Sequence, residues 1–248
     1  MRTAAQTIER DIDTPSPASD VEETDSAPPV RGDEVVIYLT FDDGPSPVST
    51  PLILDILDEY GVSATFFMTG YIAEARQRAV QEVHARGHVI ANHSYSHQYD
   101  LLYGSAQGLI DEIERTETVF TRILGAAPER IFRFPAGSAA TQLDNNPSLR
   151  DDIIARLEVG GWRYFDWNVS FGDSVAGTPP APDELAVKVI GEIEKRLDEG
   201  EIDIIVLAHD MDDKPWTPRD LPRVLEYCIA QGFRFDVLSL DSPVVAFR

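Results

Sequence analysis

The amino-acid sequence predicts a single α/β domain built on a mostly parallel sheet that closes like a barrel. Three observations predict it. Apolar, strand-like runs alternate with amphipathic, helix-like segments over about 200 residues, the pattern of a parallel sheet with crossover helices. The chain has 248 residues and 43% hydrophobic content, enough for one large core. Finally, Asp42, Asp43, His93, Arg133, Asp166 and His209 all fall at or just after the C-terminal ends of predicted strands. A doubly wound sheet is the other architecture that this alternation allows. Barrel-like closure is the simpler one, because it brings strand ends far apart in sequence to one mouth.

Residues 1 to about 33 are acidic, rich in Ser, Thr and Pro, and poor in large apolar side chains. They cannot offset the entropy of ordering, and a disordered tail or linker is expected there. The domain is expected to run from 34 to 248, opening on "EVVIYLTFDDGP", a β-branched apolar run stopped by Gly44 and Pro45. "STPLILDILDEYG" follows as a helix with a glycine stop, "SATFFMTG" as a strand and "ARQRAVQEVHARG" as a helix. "HVIANHS" reads as a strand and "QGLIDEIERTETVFTRILG" as a long amphipathic helix. "RIFRFPAG" and "WRYFDWNV" are strands on either side of a helix near "SLRDDIIARLEVGG". The remainder alternates the helix "APDELAVKVIGEIEKRLDEG", the apolar strand "IDIIVLAHD", the helix "PRDLPRVLEYCIAQG" and the run "FRFDVLSL".

Composition excludes several classes of function. Forty-three acidic against 21 basic side chains give a formal charge of −22, which repels a phosphate backbone, so nucleic acid is not an expected partner. No apolar run approaches the roughly 20 residues that span a bilayer, and the N-terminus has neither the basic start nor the apolar core of a signal peptide. The single cysteine, Cys228, cannot form an internal disulfide and sits in a helical apolar pattern.

Two candidate histidine pairs have a spacing of four. His84 lies on a charged helix and His88 follows the Gly87 stop, so both read as structural. His93 and His97 differ because "TFDDGP" supplies two adjacent carboxylates at the end of an apolar strand, where repulsion and desolvation call for a positive partner. Regular strand geometry would send Asp42 and Asp43 to opposite faces; the turn supplied by Gly44 and Pro45 lets both address one site. One carboxylate with two imidazoles is a donor set for zinc or a similar divalent ion, leaving the other carboxylate free as a base. His209, at the end of a buried strand, is the candidate acid, with a hydrogen-bonded core histidine as the competing reading.

"TFDDGP", "HSYSH", "RFPAG", "DWN" and "LAH", in this order, resemble the five motifs of the polysaccharide deacetylase family, the NodB-homology or carbohydrate esterase family 4 domain. The resemblance spans about residues 35 to 243 and implies a distorted (β/α) barrel. It implies that Asp43, His93 and His97 bind a divalent metal, zinc first with cobalt or nickel as alternatives, and that Asp42 is the general base. Arg133 would hold Asp42 ionised, and Asp166 would orient His209, which protonates the departing amine. Trp167 and Leu207 would form the pocket for the acetyl methyl, and the Ala136 backbone N–H would help to bind the oxyanion. The family commonly has an aromatic residue or glycine at the position of Ala136, so an aromatic wall beside the substrate is missing here.

The implied function is hydrolysis of N-acetyl groups from N-acetylglucosamine units of a polysaccharide, peptidoglycan ahead of chitin, with release of acetate. The alternatives are an acetyl ester of xylan or a small cyclic amide on the same barrel, and a carbohydrate-binding module that lost the chemistry. The module reading is disfavoured because Asp42, Asp43, His93, His97 and His209 are all present. A monomer acting outside the cytoplasm, at a cell wall or in secreted form, is expected.

Overall fold

A computed structural model describes residues 32–174 and 179–247; the expected N-terminal tail lies outside the described residues apart from its last two positions. After a short 3-10 turn (Gly32–Glu34), the elements in chain order are β1 (Val36–Asp42), α1 (Ser49–Tyr60), β2 (Thr65–Met68), α2 (Gly70–Ala75), α3 (Gln77–Ala85), β3 (Val89–Asn92), α4 (Tyr99–Leu102) and α5 (Ala106–Leu124). They continue with β4 (Ile131–Phe132), α6 (Thr141–Asp144), α7 (Pro147–Val159), β5 (Arg163–Tyr164), β6 (Val169–Ser170), α8 (Glu184–Asp198), β7 (Asp203–His209), α9 (Trp216–Ala230) and β8 (Arg234–Asp236). The predicted glycine stops are present: α1 and α5 end at Gly61 and Gly125, whose φ angles of 65° and 81° are left-handed.

All strand pairs are parallel, in the order β5-β4-β3-β2-β1-β7-β6, with β8 pairing β1. The strand period of two divides the side chains into two populations. Ile37, Leu39, Phe41, Phe66, Ile204 and Val206 face outward into a core shared with helix residues such as Ile53, Val83, Phe120, Val189 and Val224. Val36, Tyr38, Phe67, Ala91, Ile131, Phe165 and Ile205 pack against one another on the inside of the curl. Thr40 and Asp42 continue the inward row of β1, and Leu207 and His209 continue that of β7. The catalytic candidates thus stand at the end of rows whose lower members are packed core, the arrangement that holds a barrel's mouth rigid.

The sequence reading of "WRYFDWNV" as one strand is corrected. It is two, β5 and β6, and they lie at opposite edges of the sheet. Only residues 165–168 join them, a stretch that can span no more than about 18 Å. The edges must therefore come close, so the sheet curls into an open barrel whose seam is this segment rather than a hydrogen-bonded ladder. Phe165 N–H donates to Phe132 O on one side at 3.0 Å, and Asn168 N–H donates to Ile205 O on the other at 3.2 Å. Asp166 N–H donates to Val245 O at 2.8 Å, so the C-terminal segment lies along the seam. "FRFDVLSL" is likewise shorter than expected, with only Arg234–Asp236 in the ladder.

Asn168 fixes one side of the seam with its side chain as well. Its Nδ2 donates to Asp203 O at 2.8 Å, and its Oδ1 accepts from Ile205 N–H at 2.7 Å. Asn168→Ala is expected to lower stability by about 1–3 kcal/mol through the groups left unpaired on β7. A fall in denaturant midpoint at constant m would show it; an unchanged midpoint would mean that the seam holds without this clamp.

Candidate active site

At the centre of the mouth is a buried ion pair. Arg133 follows β4, is fully buried, and donates from Nη1 to Asp42 Oδ1 at 2.8 Å and to Thr40 Oγ1 at 2.7 Å. Its Nε donates to Phe165 O at 3.0 Å and its Nη2 to Asp166 O at 3.1 Å, and the guanidinium lies 4.1 Å from the Phe67 ring centroid. A buried cation is tolerated only when its donors are this fully used. The consequence for Asp42 is a fixed carboxylate with one oxygen committed to Arg133 and the other, Oδ2, 3.7 Å from His93 Nε2.

Asp43, His93 and His97 present one donor atom each within 4.8 Å of one another. Asp43 Oδ1 is 3.5 Å from His93 Nε2 and 3.2 Å from His97 Nε2. The spacing of four does not reflect a helix face, because both histidines lie on the loop after β3. Ser94 and His97 turn that loop through left-handed φ angles of 67° and 55°, and Asp43 itself has φ 77°. Such conformations cost on the order of 1–3 kcal/mol each and persist where the surroundings enforce them. Here Gly70 N–H donates to Ser94 O, Tyr71 N–H to Tyr95 O, Ser94 N–H to Asn92 Oδ1 and Ser96 N–H to Glu112 Oε2.

The donor set fits a divalent ion on four counts. Asp43 Oδ1 is buried with no hydrogen-bond partner among the described residues. Burial raises the Asp43 carboxyl, but contact with His93 and the charges of His93, His97 and His209 outweigh it and hold it well below the usual carboxylate range. His97 is lowered from its ordinary value, first by burial and then by His93, which favours the neutral, ligating form. His93 Nδ1 lies 3.0 Å from Arg133 O; a carbonyl only accepts, so Nδ1 carries a proton there and Nε2 is the nitrogen turned toward Asp43.

His209 closes the other side, its Nε2 4.0 Å from Asp43 Oδ2. Its orienting partner corrects the sequence reading. Asp173, 1% exposed, takes His209 Nδ1 at 2.8 Å and accepts from the His209 backbone N–H at 2.7 Å and from Thr217 Oγ1 at 2.8 Å. Desolvation pushes the His209 imidazolium down, but the Asp173 hydrogen bond and charge, with Asp42 and Asp43 behind them, raise it to about 9. Asp166 does not take this part. Its Oδ1 accepts from Ser138 N–H at 2.8 Å, and its Oδ2 accepts from Phe247 N–H at 2.7 Å and from Ser138 Oγ.

Comparisons with known proteins identify the family. The polysaccharide deacetylase profile matches residues 30–148. A chitooligosaccharide deacetylase of Azorhizobium caulinodans is 32% identical over 174 residues, covering 70% of this chain and 73% of that protein. The chain belongs to the polysaccharide deacetylase family. A Bacillus cereus peptidoglycan-N-acetylglucosamine deacetylase is 28% identical over 211 residues, covering 85% of this chain and 89% of the other. The catalytic domain of a peptidoglycan N-acetylglucosamine deacetylase from Eubacterium rectale has the same fold, with a TM-score of 0.76 and 32% identity over 92% of this chain and 97% of that one.

In this polysaccharide deacetylase the rim residues sit around the seam. Ala136 is exposed, with φ 64°, on the loop whose Pro135 carbonyl accepts from Tyr103 Oη at 2.6 Å. Trp167 packs edge-on to Phe247 at 4.8 Å, and both crowd Gly137, where a Cβ would meet Phe247 Cε2 at 2.7 Å. Leu207 is buried at 7% exposure, one step below His209 on the inward row of β7. His84 and His88 stay outside the site: His84 is exposed on α3, and buried His88 accepts from Ala64 N–H at 3.2 Å.

Asp173→Asn removes the hydrogen bond and charge that raise His209 most and leaves the smaller effects of Asp42 and Asp43 against the desolvation that lowers it. Histidine-selective NMR titration of the metal-free protein should show the His209 transition moving from about 9 to lower pH, by one unit or more. Asp166→Asn should leave it in position; the reverse result would restore the sequence reading.

Proposed function

We propose that this polysaccharide deacetylase is a metal-dependent hydrolase that removes N-acetyl groups from N-acetylglucosamine residues, with peptidoglycan preferred to chitin. The observation that carries the reading is the single mouth at which Asp43 Oδ1, unpartnered, faces His93 Nε2 and His97 Nε2, with Asp42 on one side and His209 on the other.

Asp43, His93 and His97 would hold the ion, zinc first and cobalt or nickel as alternatives. Bound there, a divalent ion supplies Lewis acidity toward the acetyl carbonyl and acidifies water. Asp42 Oδ2 then accepts a proton from the attacking water, its other oxygen being fixed by Arg133. His209 Nε2 donates a proton to the amide nitrogen as the C–N bond breaks, and Asp173 keeps that proton in supply. The Ala136 N–H would stabilise the carbonyl oxygen as it gains charge, and Trp167 with Leu207 would receive the methyl group. Products are acetate and a free amine.

The protonated His209 favours an amide over an acetyl ester, because an amine leaves only after protonation and an alkoxide needs a weaker acid. A wall polymer as substrate requires the enzyme to work outside the cytoplasm. No helix of the described residues is long and apolar enough to cross a membrane.

Acetate release from peptidoglycan and from chitooligosaccharides, measured on stripped protein and after restoring zinc or cobalt, tests the reading. Release is expected only with metal, and Asp42→Ala should reduce it about 10²–10⁴-fold. Release that survives both stripping and the substitution would sink the mechanism. Turnover of acetyl xylan but of neither N-acetyl polymer would move the assignment to the ester.

A further inference from the structure

The loop that carries Ala136 follows Arg133 at the mouth, and both of its flanks are tied down. Phe134, Pro135, Gly137 and Ser138 are buried, and Ala136 is the one exposed residue from Ile131 to Ser138. Ala136 and Gly137 take consecutive left-handed φ angles of 64° and 82°. A non-glycine residue keeps that conformation where its surroundings enforce it. Here Gly137 N–H donates to Phe134 O at 2.8 Å across the turn, Tyr103 Oη donates to Pro135 O at 2.6 Å on one flank, and Ser138 N–H donates to Asp166 Oδ1 at 2.8 Å on the other.

Pro135 O and Ala136 N–H belong to one planar, trans peptide unit, so they point in opposite directions. Fixing the carbonyl with Tyr103 therefore fixes the direction of the N–H and polarises it. That N–H has no acceptor among the described residues and sits on the residue of the loop that faces solvent. Tyr103 is itself held beside the site: its ring stacks on Tyr99 at 6.1 Å, and Tyr99 lies 5.5 Å from the His97 ring. Asp166 is fully buried, and the acid–base chemistry proposed above does not use it. Its carboxylate is filled by Ser138 N–H, Ser138 Oγ and, at 2.7 Å, Phe247 N–H, which joins the loop to the C-terminal residue that crowds Gly137.

Resting on the deacetylase reading above, we propose that Tyr103 and Asp166 are positioning residues that hold the Ala136 N–H ready for the carbonyl oxygen of the acetyl group. Tyr103 sets the direction of the donor, and Asp166 sets the place of the turn. A donor stabilises charge developing on oxygen without a cost of reorganisation only where it is aimed beforehand. With a methyl group as its whole side chain, Ala136 anchors itself little, and the loop depends on these two neighbours.

The test compares the zinc-loaded full chain with its Tyr103→Phe and Asp166→Asn variants. Tyr103→Phe removes one oxygen and keeps the ring against Tyr99. Asp166→Asn presents an amide NH2 group where Phe247 N–H and Ser138 Oγ donate. The Ala136 amide is followed by NMR as acetate is added, and acetate release from chitohexaose and from soluble peptidoglycan fragments is measured across pH. In the wild-type chain acetate should move the Ala136 amide proton downfield, and in each variant that response should fall by about half or more. Each variant should lose on the order of tenfold in kcat with KM within about twofold, the mark of an interaction made mainly in the transition state. The pH limits should stay in place, because His209 keeps Asp173. An Ala136 amide that ignores acetate in the wild type, a full response in Tyr103→Phe, or a fall in kcat accompanied by a moved pH limit overturns the proposal. If Asp166→Asn does not fold, Ser138→Ala, which removes only the hydroxyl bond, takes its place with the same expected direction. No acetate from either substrate with the wild-type chain overturns the deacetylase reading, and the amide titration then decides the positioning alone.

Discussion

The buried Arg133 guanidinium is the contact on which the barrel and its site both depend. It reaches β1 through Thr40 and Asp42 and the seam through the carbonyls of Phe165 and Asp166, while its own carbonyl receives His93 Nδ1. One side chain therefore ties together the two strands and the segment that closes the curl, and sets the tautomer of a metal-ligand candidate. Taking a guanidinium out of water costs several kcal/mol, and that is recovered only where geometry fills its donors and a full negative charge faces it. Asp42 supplies the charge, so the group proposed as base is also part of what keeps the seam closed. The proposed proton acceptance is thereby coupled to conformational stability at this residue.

Adjacent aspartates and nearby histidines then diverge through their surroundings alone. Asp42 faces inward against a guanidinium, whereas Asp43, rotated by its left-handed φ, faces two imidazoles. His97 is pushed toward its neutral form by burial, and His209, similarly enclosed, is raised to about 9 by Asp173. The proposed hydrolysis uses this separation: an imidazole beside Asp43 that favours its neutral form, and an acid that still carries its proton. The fold provides it by assigning each histidine a different strand end and a different hydrogen-bond partner at Nδ1, a backbone carbonyl for His93 and a carboxylate for His209.

Strand ends were the legible part of this chain. "TFDDGP", "HVIANHS" and "IDIIVLAHD" show their strands by composition and stop at polar residues, and the parallel topology brings those stops together. The seam was not legible, because Trp162 to Val169 has the apolar content of one strand, and no local signal shows that the chain leaves one sheet edge at Tyr164 and joins the opposite edge at Val169. The partner of His209 was hidden as well. The resemblance of "DWN" to a family motif points to Asp166; with the strand divided, the second piece is followed by "FGDS", and Asp173 arrives beside β7. The left-handed turn at His97 was equally hidden, since a spacing of four fits a helix face as well as a loop. The short α2, α4 and α6 carry too little periodicity to announce themselves.

The mouth gathers Asp42, Asp43, Asp173 and Asp210 where water is scarce, and each is made tolerable by a different device. Arg133 neutralises Asp42, the His93–His97 pair faces Asp43, and Asp173 is satisfied by His209 and Thr217. Asp210, fully buried beneath Gly44 with its Oδ2 2.5 Å from Thr50 Oγ1, has no cation paired with it among the described residues; burial, with the charge of Asp43 adding to it, pushes its carboxyl up to about 7. Near neutral pH it is thus held at the edge of protonation, the remaining way to remove a charge that has no partner. Four carboxylates this close cannot be independent: changing the charge at Asp43 alters the field at Asp210 and at His209 alike. Effects of substitutions here should therefore be read as couplings within one electrostatic cluster, with Asp43 at its centre, rather than as separate contributions.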